Sequence, residues 1–193
     1  MNNESWYILF MTLAEELKAR GLVERSSAAP KQILAESRTV FLGIDPTADS
    51  MQVGNLAVVL LMKRLGDVGH KLIFLVGGAT GMIGDPKEKG ERPMLDEKTV
   101  VANTRALKAQ LKKILDNTSF KMVDNADWLM GVKLVPFLRD IGKHFTVNDL
   151  IKRDIIKKRI EMPDESISYA EFSYSLLQGF DYLTLYQKYG CDL

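Results

Sequence analysis

Three stretches carry residue types and spacings that could do chemistry. In DPTADSMQVGNL (Asp45 to Leu56) a turn-rich loop leads into a helix with Gly54 and Asn55 in its first turn. A helix start offers unpaired N–H groups and a partial positive charge, and glycine there lets an anion reach the backbone. Thr47 and Gln52 can donate to the same anion, so phosphate is the expected ligand; a capped helix alone is the simpler reading. In GGATGMIGDPKEKGER (Gly77 to Arg92) four glycines follow an apolar run, so backbone must approach something closely there. In isolation this is a dinucleotide-type turn, but Asp85-Pro86 and KEKGER interrupt the helix such a cofactor needs, and no Tyr-x-x-x-Lys pair follows. KEKGER reads instead as a loop presenting Lys89 and Arg92, or as a plain solvated turn.

In EFSYSLLQGFDYL (Glu171 to Leu183), Tyr174, Gln178 and Asp181 fall at i, i+4 and i+7, one face of a helix. A phenol, an amide and a carboxylate facing one way suit a small polar ligand with an amine and a hydroxyl, or a water-facing stripe. A fourth stretch, KRDIIKKR (Lys152 to Arg159), holds five basic residues and one acidic. It suits either a phosphate backbone or a solvated helix face.

The elements that must position these groups follow from periodicity. TVFLGI (Thr39 to Ile44) and KLIFLVGG (Lys71 to Gly78) are short, continuous apolar runs, the pattern of strands buried on both faces. The segment between them, about Gln52 to Leu65, has helical period, with Ser50 or Asp49 as its expected cap. Strand, helix, strand over about 40 residues is a βαβ unit. A helix is expected over Glu97 to Leu115, a third strand at FKMVDN, and helices over Leu134 to Gly142, Val147 to Ile160 and Ile167 to Tyr189. The fold class is α/β: a Rossmann-like parallel sheet flanked by helices. Residues 1–30 read as an amphipathic helix and linker, and Pro30 opens a short helix over KQILAESR. Residues 31–193 are expected to form the N-terminal part of one Rossmann-like domain. GCDL at the end reads as the start of another strand, so the chain is expected to be the N-terminal piece of a longer protein.

Composition narrows the function classes. Of 193 residues, 46% are hydrophobic, enough for a full core. Lys and Arg number 26 against 25 Asp and Glu, a net charge of +1, which argues against a general polybasic coat. One cysteine, Cys191, excludes an internal disulfide framework, and two histidines leave little for a metal cage. WYILFM (Trp6 to Met11) follows Glu4, is short, and fails as a secretory signal. A cytoplasmic location and no membrane association are expected.

Taken in order, FLGIDPTADS, VGGATGMIGDP, FLRDIGKHFTVN, ISYAEFSYSLLQGFDY and YGCDL resemble one family, the bacterial-type tyrosyl-tRNA synthetases of class I. The resemblance runs from Leu13 to the last residue. It implies ATP-dependent activation of tyrosine to tyrosyl-adenylate and transfer to tRNA(Tyr). It places Gln52 to Asn55, including Gly54, at the ATP-phosphate signature, Gly43 and Asp45 at the adenylate, and Thr47, Lys89 and Arg92 at the departing pyrophosphate. Thr80, Asp85, Tyr174 and Gln178 fall where the tyrosine ammonium is held, and Asp181 where the phenol is read. Phe41 also lies at the phenol, where the family usually has Tyr; Gln52 and Asn55 stand at the signature's two His positions.

The resemblance further implies ATP with Mg2+ as substrate, no tightly bound cofactor, and no metal-binding side chains. It implies a homodimer through an insertion at about 128–170, with Phe137, Phe145, Ile155, Ile156 and Tyr169 in the apolar surface. A GGSDQW-like strand, a KMSKS-like loop and an anticodon-binding domain, which the family has, lie outside these 193 residues, so the chain alone is expected to be inactive. The competing readings are a nicotinamide-dependent short-chain reductase and a non-catalytic dimerising or RNA-binding module.

Overall fold

The computed structural model describes residues 11–86 and 95–193. The chain divides into two compact units, residues 1–38 and 39–193. In the first unit, helix α1 (Leu13–Ala19) starts with a reciprocal cap: Thr12 accepts from the Glu15 N–H, and the Glu15 carboxylate accepts from the Thr12 N–H at 2.8 Å. It ends before Gly21, whose φ of 68° only glycine adopts freely. Helix α2 is one turn, Pro30–Ile33, shorter than the expected KQILAESR.

The second unit is built on three parallel strands, β1 (Thr39–Ile44), β2 (Lys71–Val76) and β3 (Phe120–Asp124), in the order β1-β2-β3. Their register aligns Ile44 with Val76 and Val76 with Asp124, so the three strands end level. Both faces of β2 are buried, as its unbroken apolar run requires. Helix α3 (Val53–Asp67) crosses from β1 to β2, and a single turn α4 (Thr80–Ile83) with the long helix α5 (Glu97–Leu115) crosses from β2 to β3. Along α5, Val100, Leu107, Leu111 and Leu115 are buried at helical spacing, giving the stripe that faces inward.

Beyond β3 come α6 (Ala126–Leu129), α7 (Leu134–Asp140), a 3-10 turn (Gly142–His144), α8 (Val147–Leu150), α9 (Asp154–Glu161) and α10 (Tyr169–Tyr189). The region expected as one helix over Val147 to Ile160 is therefore two. Arg153 adopts an extended ψ of 131° and starts α9 afresh. On the other sheet face, Ile73, Leu75 and Val123 pack with Trp128, Leu185 and Cys191, so α6 and α10 cover that side.

Helix α10 is anchored at both ends. Ser168 and Glu171 form a capping box, and the buried Glu171 carboxylate accepts from Arg159 Nη1 at 2.7 Å. Arg159 is only 2% exposed, so this member of the basic stretch is a structural cation and not a solvated or phosphate-facing one. At the far end Gly190 turns left-handed, with φ 62°. Residues after it return to the open edge of β1: the Phe41 N–H donates to the Leu193 carbonyl at 3.0 Å, and Asp192 and Leu193 donate to the Thr39 carbonyl. No strand is formed by Cys191 to Leu193.

Leu111 has no exposed surface. Leu111→Ala is expected to lower unfolding free energy by about 2–5 kcal/mol, read as a lower urea midpoint with an unchanged m-value.

Candidate functional site

Because the strands end level, their exit loops converge. A cavity of about 940 Å³ opens there, lined from β1 and its loop by Phe41, Gly43, Asp45 and Thr47, and from α3 by Gln52 and Asn55. Thr80 and Asp85 line it from the β2 exit, Asn125 from the β3 exit, and Tyr174, Gln178, Asp181 and Tyr182 from α10. Of the residues expected at a site, Gly54 is not in this lining. Lys89 and Arg92 lie outside the described residues.

A single chain of hydrogen bonds crosses the floor. Tyr174 Oη donates to Asp45 Oδ2 at 2.8 Å, and Thr80 Oγ1 donates to Asp45 Oδ1 at 3.0 Å. Asn125 Nδ2 donates both to Thr80 Oγ1 at 2.9 Å and to Asp181 Oδ2 at 3.0 Å. Trp128 Nε1 donates to Asp181 Oδ1 at 2.8 Å. Asn125 is itself oriented by the Ala79 N–H, which donates to its Oδ1 at 2.9 Å. Asn125 and Asp181 are 1% and 3% exposed, so these bonds stand in a low-dielectric interior.

This chain explains the paired glycines. A Cβ on Gly77 would lie 1.9 Å from Asp45 Oδ1, and one on Gly78 would lie 2.2 Å from Asp124 Oδ1. Asp124 accepts from the Gly78 N–H at 3.1 Å and from the Ala126 N–H at 2.9 Å, bracing the exits of β2 and β3. The close backbone approach read from the sequence is thus to the protein's own carboxylates. Gly54 and Gly43, by contrast, would place a Cβ in open space.

The anion-type loop is held from a distance. Asn103 and Gln110, two turns apart on α5, face it together. Asn103 Nδ2 donates to the Pro46 carbonyl and Gln110 Nε2 to the Asp49 carbonyl, both at 2.9 Å, while the Met51 N–H donates to Gln110 Oε1 at 3.0 Å. The cap expected from Ser50 or Asp49 does not form. Gln52 is the N-cap and makes no side-chain cap bond, so the first-turn N–H groups of α3 have no capping side chain.

The electrostatics divide the cavity. Burial pushes the Tyr174 hydroxyl far up, and the neighbouring Asp45 charge adds to this, so Tyr174 is a neutral donor at every working pH. Burial also pushes Asp181 up, to about 6; the Asn125 and Trp128 donors pull it back, and Asp45 opposes them.

Sequence reasoning missed Asn125 and Tyr182 in the cavity lining, and Trp128 and Asp124 as groups that brace it. Tyr182 had a signal, since it follows Gln178 by four residues on the same helix. The others become neighbours of the site only through the sheet.

The family model described as "tRNA synthetases class I (W and Y)" matches residues 35–191. The chain is 46% identical over 191 residues to a tyrosine–tRNA ligase of Parabacteroides distasonis, covering 95% of this chain and 44% of that protein. It is 41% identical over 187 residues to tyrosine–tRNA ligase 1 of Pseudoalteromonas translucida, covering 94% and 44%. It is similar in structure to a C-terminally truncated mitochondrial tyrosyl-tRNA synthetase of Aspergillus nidulans. The TM-score there is 0.76 at 28% identity, covering 92% of this chain and 54% of that one. The chain spans less than half the length of the curated relatives it matches.

A folded carboxyl with a raised pKa holds its proton longer than the unfolded one, so its contribution favours the folded state at low pH and is lost as pH rises from about 4 to about 6. Urea midpoints measured across that window should fall less in Asp181→Asn than in the unaltered protein, and should run parallel above it.

Proposed function

Because the chain belongs to the class I tRNA synthetase family of the tryptophan and tyrosine enzymes, we propose that its cavity binds tyrosine and ATP. In this reading the whole protein activates tyrosine as its adenylate and transfers the tyrosyl group to tRNA(Tyr). The observation that carries the choice of tyrosine is Asp181. It is a buried carboxylate whose two oxygens already accept from Asn125 and Trp128, and which keeps lone pairs for one more donor. A phenol O–H is that donor. Phenylalanine would leave the carboxylate unmatched, a discrimination for which tyrosyl-tRNA synthetases are themselves a standard example.

The remaining roles follow along the cavity. Tyr174, Gln178, Thr80 and Asp85 would hold the ammonium. Gly43 and Asp45 would meet the adenylate, whose approach the open space over Gly43 permits. Thr47, Gln52, Gly54 and Asn55 would meet the phosphates at the α3 start, with Lys89 and Arg92 supplying cationic charge to the leaving group. The tyrosine carboxylate is already a nucleophile. Its oxygen forms a bond to the α-phosphorus as the bond to the pyrophosphate oxygen breaks, and no side-chain base is needed. Catalysis is then positioning and charge stabilisation. Among the described residues no three His, Cys, Asp or Glu gather as a metal site. Magnesium is read as entering with ATP, held by phosphate and water.

Exposed apolar residues between Trp128 and Tyr169 support a homodimer through that region: Met130, Leu134, Val135, Val147, Ile160 and Tyr169 are each more than half exposed. Ile156 does not add to that surface, and Phe137 and Phe145 are half-buried. Phe137 packs edge-on against Phe180, the Phe145 ring fills the space over Gly179, and Ile156 is buried. No described helix is long and apolar enough to cross a membrane; a cytoplasmic enzyme is proposed. The reductase reading is less well supported, since the glycine turn that suggested it is occupied by Asp45 and Asp124.

Protein from the complete reading frame should show tyrosine-dependent exchange between ATP and pyrophosphate, and the 193 residues alone should show none. Exchange driven by a different amino acid would overturn the assignment. Asp181→Ala should weaken tyrosine binding about 10- to 100-fold, with little change for phenylalanine. Equal losses for both would show that the carboxylate does not meet the phenol.

A further inference from the structure

We propose that Tyr182 is a second specificity residue of this cavity, its hydroxyl donating to the oxygen of a phenol bound at Asp181. The inference rests on reading the cavity as a tyrosine site.

A phenol both donates and accepts. Its proton goes to Asp181, which leaves its oxygen free to accept from a donor on the cavity wall. The nearest donors are spent. Both Nδ2 hydrogens of Asn125 are used, on Thr80 and on Asp181. The single N–H of Trp128 is used on Asp181. The Thr80 hydroxyl donates to Asp45. Phe41, which lines the same cavity from β1, has no polar side-chain atom.

Tyr182 is placed to fill the gap. It lines the cavity beside Phe41, one residue beyond Asp181 and so about 100° round α10 from it. Its ring meets the Phe41 ring edge-on, with centroids 5.3 Å apart and an interplanar angle of 62°. That contact holds the flank of the ring, while the residue is half-exposed and its hydroxyl has no hydrogen-bond partner among the described residues. Burial raises the Tyr182 hydroxyl pKa, Arg153 lowers it, and the Asp181 charge raises it, so the hydroxyl lies within the field of that carboxylate. Of the other cavity donors on α10, Tyr174 already donates to Asp45, and Gln178 sits one turn nearer Tyr174, at the end read as the ammonium site.

The test is equilibrium dialysis of labelled tyrosine and phenylalanine against protein from the complete reading frame, unaltered and as Tyr182→Phe and Tyr182→Leu. Tyr182→Phe keeps the ring contact and removes one oxygen. It should lower the ratio of tyrosine to phenylalanine affinity about three- to tenfold while leaving phenylalanine binding unchanged. A ratio that stays constant in Tyr182→Phe overturns the inference, whether or not Tyr182→Leu binds more weakly, because the ring alone then matters. Equal weakening of both amino acids in Tyr182→Phe also overturns it. If the unaltered protein shows no preference for tyrosine, the tyrosine reading itself falls; a preference that Tyr182→Phe leaves intact removes only this inference.

Discussion

The hydrogen bonds that run from Tyr174 through Asp45, Thr80 and Asn125 to Asp181 and Trp128 tie together the exits of all three strands and the helix that covers them. They stand in the interior, where each bond is stronger than in water and each missing partner costs more. Several otherwise separate features of the sequence follow from this one requirement. The level strand ends bring Asp45, Gly77 and Asn125 to one place. Gly77 and Gly78 must lack side chains because carboxylates occupy the positions a Cβ would take. Asn125 must be an amide, since it accepts from a backbone N–H while donating to a hydroxyl and a carboxylate.

Much of the scaffold was legible before any coordinates. β1 and the start of β2 fell where the apolar runs placed them, because a strand covered on both faces has no polar alternation to confuse it. The helix over Glu97 to Leu115 was legible at both ends, since its buried stripe keeps one period throughout. The start of α3 fell where expected, but its cap did not, for a physical reason. A local cap was expected from Ser50 or Asp49, but Gln110, far along the chain, takes the backbone of that loop instead. The same limit hid Asn125 and Trp128. Each looks unremarkable in its own segment, and only the parallel pairing of β2 with β3 brings them beneath Thr80 and beside Asp181.

Charge was the other place where pattern and structure parted. The stretch Lys152 to Arg159 reads as either phosphate-facing or solvated throughout, yet one of its five cations is buried against Glu171 and touches the Ser166 carbonyl. Burial of a guanidinium is tolerated only with such partners, and no periodicity distinguishes Arg159 from Lys157 or Lys158. The split between α8 and α9 turns the second segment so that Ile156 and Arg159 share its inward side.

The anchoring of α10 at both ends bears on how fast this wall of the cavity can respond. One residue of rotation along a helix swings a side chain by about 100°, so a helix free to turn would trade Asp181 for a neighbour. With Arg159 and Glu171 at one end and the Gly190 turn at the other, that motion is closed off. What can still move are torsions beyond Cβ, which hop in picoseconds to nanoseconds where exposed, against microseconds or longer for shifting a packed helix. Arrival and departure of a ligand along this wall are then set by diffusion and by whatever covers the mouth, and the helix itself adds no slow step.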